Sequence, residues 1–485
     1  MTAAALPLVI QGGMGVGVSN WTLARAVSRA GQLGVVSGTA VDAVFVRRLQ
    51  EGDVCGSIRR ALSHFPLPEV AADIIAKFHR PEGMPAGVPY KALPMYRQAV
   101  SAMREQITMA ANFVEVWLAK EGHDGIVGIN LLTKIQMPNL ASLYGAMLAG
   151  VDYVLMGAGI PSEIPGLLNL LAQHEAAEIS VPVDGADKGE RHTVGIDPKR
   201  LFGRRLPALH RPRFLAIVST HVLAAYLARD PVTRPDGFVM ETPIAGGHSA
   251  PPRGNLTLDA VGDPIYGARD VFDAAKATKV GLPFWLAGGY ASPKQVTMAR
   301  ETGAQGVQIG SAFALCRESG IEPELRREVF DRAVAGSLVV RNHPRASPTN
   351  FPFKLIQLQQ TGADEETYAA RPRLCDLGYL RSAYKRDDGT IGYRCPAEPV
   401  DAYVKKGGTV EDAADRRCLC NGLVATTGLG QHRPDGYAEA PLVTLGQDLD
   451  FLPDLIAAVG ADYGAADVVG YLLGSPAPDL SIAQD

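Results

Sequence analysis

Short apolar runs that stop at glycine recur along this chain of 485 residues, and few folds can use that pattern. Eight short apolar runs fall at residues 8–11, 34–37, 126–130, 153–156, 214–219, 237–241, 284–287 and 306–309, and five of them, at 8–11, 34–37, 153–156, 284–287 and 306–309, are followed directly by glycine. They are rich in Val, Ile and Leu rather than cleanly alternating, as parallel strands covered on both faces should be. Helical patterns at 21–30, 140–149, 220–228, 268–278 and 293–302 lie between them. The last of these opens with Ser292-Pro293, an N-cap followed by proline at the first helical position, and stops before Gly303. Strands alternating with helices define the α/β class, and eight of them with no reversal predict a closed (β/α)₈ TIM barrel.

The chain is longer than such a barrel needs, and the surplus is localised. Residues 50–108 and 163–212 interrupt the alternation as insertions, and both are expected to act as lids over the barrel mouth. The first is mainly helical with a Pro-rich stretch at 79–94; the second holds a helix, a candidate strand at 181–183 and a polar loop at 184–192. Beyond residue 340 the character changes to turns, tyrosines and four of the six cysteines. The domain reading is therefore a barrel over 1–340 and a cysteine-containing C-terminal extension over 341–485, packed against it.

Bulk composition excludes several classes. A 47% hydrophobic content supports a large core, and a formal net charge of −4 without a long Lys/Arg run argues against nucleic acid. No stretch of about 18 apolar residues suggests a membrane span. The N-terminus lacks a basic segment, and its apolar run stops at Gly12-Gly13, so it reads as a first strand rather than a signal peptide. Six cysteines are too few for a disulfide scaffold in a chain of this size, so a cytoplasmic location is expected.

The chemistry concentrates at the glycine-ended strands. Gly288-Gly289 precedes a helix, and Gly310-Ser311 adds a main-chain donor and a hydroxyl; the loops after strands seven and eight of such barrels often cradle a phosphate. In Ala245-Gly246-Gly247-His248 a strand end delivers a titratable side chain beside backbone that a ligand can approach closely. The alternative for each glycine pair is an ordinary tight turn. His192 and His221 are secondary candidates. Gln11-Gly12-Gly13-Met14 lacks the distal acid of a dinucleotide fingerprint and reads as a strand end passing a planar cofactor, with Met14 polarizable beside it.

With these elements the chain resembles the nitronate monooxygenase (2-nitropropane dioxygenase) family of FMN-dependent TIM-barrel flavoproteins. The resemblance is carried by Gln11-Gly12-Gly13-Met14, Asn130, Ala245-Gly246-Gly247-His248, Leu286-Ala287-Gly288-Gly289 and Gln308-Ile309-Gly310-Ser311, over roughly residues 6–340. It is similar also to an FMN-dependent type of bacterial enoyl-acyl-carrier-protein reductase. The resemblance implies FMN with its phosphate on Gly288, Gly289, Gly310 and Ser311, and its ring system near Gly13, Met14, Gly246 and Gly247. Asn130 and Gln308 would meet cofactor polar atoms, and His248 would be the catalytic residue. It implies oxidation of an alkyl nitronate with O₂ to a carbonyl compound and nitrite. The rival is reduction of an enoyl thioester with NAD(P)H, and a non-catalytic flavoprotein docking a partner is a lesser alternative. Ile244 and Ala250 depart from the family pattern, which has glutamate and glycine there.

Cys375, Cys395, Cys418 and Cys420 could hold a zinc ion or an iron–sulfur cluster, or nothing. No Cys-x-x-Cys knuckle is present, and Cys418 and Cys420 are expected on one face of a strand. Cys55 and Cys316 stand apart as packing residues or free thiols.

Overall fold

The computed structural model describes residues 6–203 and 206–474. Residues 1–5, where the absence of a leader was read, lie outside the described residues, as do 204–205 of the second insertion and 475–485 of the extension.

Eight strands make up the main sheet: β1 (Val9–Gln11), β2 (Gly34–Ser37), β3 (Val127–Leu132), β4 (Tyr153–Gly157), β5 (Arg213–Val218), β6 (Gly237–Glu241), β7 (Phe284–Ala287) and β8 (Gly306–Ile309). They form one sheet in the order β1-β8-β7-β6-β5-β4-β3-β2, and every pairing is parallel. The sheet closes because Gln11 N–H donates to Leu33 C=O at 2.9 Å and Leu33 N–H to Val9 C=O at 3.2 Å. The expected (β/α)₈ barrel is thereby formed.

The strands are buried on both faces, and side chains alternate between them. Val9, Val127, Phe214, Phe238, Phe284 and Val307 face the surrounding helices. Ile10, Val35, Leu155, Leu215, Val239 and Trp285 fill the barrel interior. Trp285 is wholly buried, and its indole N–H donates to Pro7 C=O at 2.9 Å, which meets its one polar requirement. One inward position further along the strands, the side chains become polar: Asn130 on β3, Glu241 on β6 and Gln308 on β8 line an open cavity. The apolar plug therefore ends where the chemistry begins.

Helix caps follow the sequence. Asn20 Oδ1 accepts from Leu23 N–H at 2.9 Å at the start of the helix Trp21–Arg29, and Ser292 Oγ accepts from Gln295 N–H at 3.3 Å at the start of Pro293–Glu301. The helix expected at 268–278 is confined to Ala274–Thr278. Asp270 is the reason: its carboxylate accepts from Arg253 N–H and Gly267 N–H, both at 2.8 Å, fixing a turn in place of helix. The strand expected at 181–183 is also displaced. Pro182, which has no N–H, separates Ala177–Ser180, paired antiparallel to Thr193–Ile196, from Val183–Asp184, which pairs with Ser382–Lys385.

The insertions do not cap the mouth. The first insertion's helices Ser57–Leu62 and Pro68–Phe78 contribute Ile58, Leu62, Ile74 and Phe78 to the main core on the barrel's outer wall. The extension crosses the mouth instead. Its strands β9 (Val340–His343) and β10 (Phe353–Ile356) pair antiparallel, and Leu445, Phe451, Leu455, Tyr463 and Val468 bury in the same hydrophobic cluster as the barrel. Insertion and extension meet at a buried ion pair: Arg104 Nη1 contacts Asp42 Oδ2 at 2.6 Å, and the Tyr379 hydroxyl donates to Asp42 Oδ1.

Trp285→Ala removes the largest side chain of the barrel interior and should cost about 3–5 kcal/mol. Equilibrium denaturant unfolding checks this; a change under about 1 kcal/mol would place the barrel's stability elsewhere.

Candidate functional site

The C-terminal ends of the strands open into a cavity whose wall includes Gly13, Met14, Asn130, Gly246, Gly247, Gly288, Gly289, Gln308, Gly310, Ser311 and His248. The residues singled out from the glycine-ended strands are thus brought to one place. Glycine is required at two of these points. Gly288 has φ +86°, and a Cβ there would lie 2.2 Å from Thr242 Oγ1; a Cβ on Gly13 would fall 2.1 Å from Asn130 Cβ. Backbone therefore forms the wall. Two buried polar atoms facing this cavity, Gln308 Oε1 and Thr39 Oγ1, have no hydrogen-bond partner within the chain.

The roof comes from the extension, through Tyr379, Leu380, Leu419, Cys420, Leu423, Leu445 and Phe451. It is tied to the loops after β6 and β8 by three hydrogen bonds. Gly247 N–H donates to Thr444 Oγ1 at 3.0 Å, Gly446 N–H to Ser311 Oγ at 2.9 Å, and Gln447 N–H to Ile244 C=O at 2.9 Å. Ser311 still has its hydroxyl proton to donate. Asp448 also lines the cavity, close to Gly289. No described residue of 50–108 or 163–212 lines it, which overturns the lid reading of the insertions.

His248 is held by the extension. It forms an antiparallel bridge with Phe353, flanked by Ser249 N–H to Pro352 C=O and Lys354 N–H to Gly247 C=O, both at 2.9 Å. Its ring meets Phe353 edge-on, with centroids 4.7 Å apart, and its Nε2 lies 2.7 Å from Ser347 Oγ. Nδ1 is the nitrogen left for a ligand. Burial first, and then the ammonium groups of Lys134 and Lys354, push the imidazole pKa down to about 4, so it is neutral at ordinary pH.

Two further groups complete this wall. Glu241 ends β6, and burial raises its carboxyl to about 7, with Lys354 opposing that rise. Lys354 is fully buried; burial lowers its ammonium to about 8, against the pull of Glu241 and Asp263. The Lys354 ammonium donates to Ser249 Oγ. Glu241 and His248 also line a second cavity, whose far wall carries Arg253, Tyr266 and Asp270. Sequence reasoning missed Glu241, Lys354, Lys134 and Ser347. Glu241 left a signal, since it is the one acid at an inward position of an otherwise apolar strand.

The secondary histidines do not belong here. His192 Nε2 lies 3.1 Å from Glu190 Oε1 in the second insertion, and His221 Nδ1 accepts from Asp273 N–H at 3.2 Å; neither lines either cavity. Among the described residues all six cysteines are free, and no group of three or more His, Cys, Asp or Glu is arranged to hold a metal ion. This removes the zinc reading of Cys375, Cys395, Cys418 and Cys420. Cys418 and Cys420 also do not share a strand: Cys418 caps the helix Leu419–Ala425, and Cys420 lies in its first turn. Cys55 is exposed and donates to Ser57 Oγ at 3.1 Å, whereas Cys316 is buried.

Parts of the chain are similar to known proteins. The family model described as nitronate monooxygenase matches residues 207–363, which run from β5 through β8 to β10. A probable nitronate monooxygenase of Bacillus subtilis is 35% identical over 96 residues, covering 20% of this chain and 26% of that protein. A (3aS,4S,5R,7aS)-5-hydroxy-7a-methyl-1-oxo-octahydro-1H-indene-4-carboxyl-CoA dehydrogenase of Mycobacterium tuberculosis is 23% identical over 209 residues, covering 40% of this chain and 54% of that protein. The matched stretches thus span about a quarter and about half of these two relatives. The solved structure of a nitroalkane oxidase from Streptomyces ansochromogenes aligns over 97% of this chain and 95% of its own, with 15% identity and a TM-score of 0.45. The segment that supplies His248, Gly288-Gly289 and Gly310-Ser311 is thus the one matched by the nitronate monooxygenase family model.

Proposed function

We propose that this chain is an FMN-dependent oxidoreductase that converts an alkyl nitronate, with O₂, to a carbonyl compound and nitrite. The family implies FMN, and the residues present suit it. Gln308 Oε1 and Thr39 Oγ1 are buried acceptors in want of a donor, as a flavin ring system would offer. The glycine walls at Gly13 and Gly288 have no space for a side chain. Gly288, Gly289, Gly310 and Ser311 would hold the phosphate, through main-chain N–H groups and the Ser311 hydroxyl. Gly13, Met14, Asn130, Gly246, Gly247 and Gln308 would border the ring system. Bound FMN supplies the electron acceptance that no side chain here provides.

The observation that carries the substrate reading is the wall shared by the two cavities. A neutral imidazole stands there within the field of two ammonium groups, Lys134 and Lys354. Such a wall favours a small anion with an apolar body. His248 Nδ1 would meet the nitronate oxygens, and Ser347 would fix the ring's orientation through Nε2. Glu241 keeps its proton below about pH 7 and so adds no negative charge opposite the substrate.

A second reading has its own support. The cavity that opens past Glu241 toward Arg253 and Tyr266 offers room for a longer acyl group, and a carboxyl raised to about 7 is suited to give a proton. These features favour NAD(P)H-dependent reduction of an enoyl thioester.

The purified protein should be yellow and release FMN on denaturation; a colourless protein with no affinity for added FMN would overturn both readings. His248→Asn should retain flavin and lose roughly 10²-fold or more of turnover. Anaerobic bleaching by an alkyl nitronate supports the first reading, and bleaching by NAD(P)H alone selects the second.

The sign of the pH dependence follows from Glu241. As pH rises through about 7 its carboxyl charges, so turnover of an anionic substrate should fall across that range. Glu241→Gln should remove that inflection from the pH–rate profile. His248 should add none near 6.5, because it is already neutral there. An inflection unchanged in the Gln variant would assign it to another group.

A further inference from the structure

Two cavities meet at the C-terminal ends of the strands, and four residues border both: Ala158, Ile217, Glu241 and His248. Glu241 and His248 are the polar groups of that partition, and Ile217 is its one bulky aliphatic side chain. Ile217 stands on β5, partly buried, and packs against the apolar plug of the barrel interior. Glycine leaves the space for it. A Cβ on Gly157 of β4 would lie 3.0 Å from Ile217 Cβ, closer than ordinary contact, so a larger residue there would push the isoleucine aside. Ala158 follows in the left-handed region at φ +53°, a conformation that a residue other than glycine keeps only when its surroundings hold it there.

Beyond the partition the second cavity has an apolar side and an open end. Ile160, Leu223, Pro243, Ala250 and Phe351 form the apolar side. Ile160 and Arg253 are exposed and mark the rim where the cavity meets solvent. A cation stands at the near end. The Phe351 ring meets the His248 imidazole edge-on, with centroids 6.4 Å apart, and the Lys134 ammonium lies 4.7 Å from the centre of the same ring. An apolar channel that is cationic at its inner end and open at its outer end suits a molecule with an anionic head and an aliphatic tail.

We propose that the second cavity is the tail subsite of the substrate, that it takes straight-chain aliphatic anions, and that Ile217 is the residue that decides which chains pass. The anionic head would stay beside His248, and the chain would run past Ile217 toward the exposed rim at Arg253. A carbon branch next to the head would collide with Ile217, which selects unbranched chains. Placing the head at His248 rests on the proposed function; binding of the tail is read separately from flavin content and from turnover.

Straight-chain carboxylates from butanoate to decanoate are the probe, because a carboxylate reproduces the planar two-oxygen anion of a nitronate without giving electrons to a flavin. Calorimetric titration of the full-length chain, with FMN added, should show affinity rising by up to about fourfold per methylene and levelling off once the chain reaches solvent. Ile217→Phe narrows the partition; it should leave butanoate within about twofold of wild type and weaken octanoate by about tenfold or more. Leu223→Phe, which lines the second cavity alone, should bring the plateau to shorter chains. Affinity in the folded wild-type chain that is undetectable at every length, or independent of length, overturns the tail subsite, as does a plateau unmoved by Leu223→Phe. An Ile217→Phe series parallel to that of wild type overturns the role of Ile217. Failure to take up FMN, with the length dependence intact, would count against the proposed function alone.

Discussion

The site depends on one buried charge. Lys354 lies on β10, with no exposure to solvent, and its ammonium must be compensated within the protein. It finds the Ser249 hydroxyl and the field of Glu241 and Asp263. A buried cation without such partners would cost several kcal/mol. The extension strand and the loop after β6 are thus bound together chemically as well as through main-chain pairing. Burial is the main cause of the shifts at its neighbours, and the same ammonium modifies them, opposing the rise at Glu241 and deepening the fall at His248.

From that contact the architecture of the mouth follows. The barrel alone supplies glycine-walled strand ends and the polar ring of Asn130, Glu241 and Gln308. It does not supply a roof. Residues 444–447 add it by bonding to the loops after β6 and β8, and Phe353 fixes His248 edge-on. Only with the extension in place does the imidazole have an orientation, because Ser347 holds Nε2. The extension is part of the cavity wall.

Much of this was legible in the sequence. Four of the eight strands, at 34–37, 237–241, 284–287 and 306–309, have the boundaries their apolar runs define, because glycine or a turn ends each sharply. The cavity wall was legible for the same reason: a glycine where a strand stops marks close backbone approach. What could not be read was long-range. Lys354 stands 113 positions from Glu241 in the chain, and no local pattern joins them. The lid assignment failed because an insertion helix such as Pro68–Phe78 can bury its apolar face on the outer wall as well as over the mouth. The helix at 268–278 was shortened by Asp270, whose side chain competes for backbone donors in a way that periodicity does not register. The cysteines were visible as a group, but their convergence on one pocket needed the fold.

The central claim is that barrel and extension together form a single flavin cavity. Hydrogen–deuterium exchange of the full chain with and without added FMN tests it most directly. The account predicts that FMN protects the main chain at 288–290, 310–312 and 444–447 together, because the first two segments would hold the cofactor and the third is bonded to them. Protection confined to the barrel segments, with 444–447 unchanged, would contradict it.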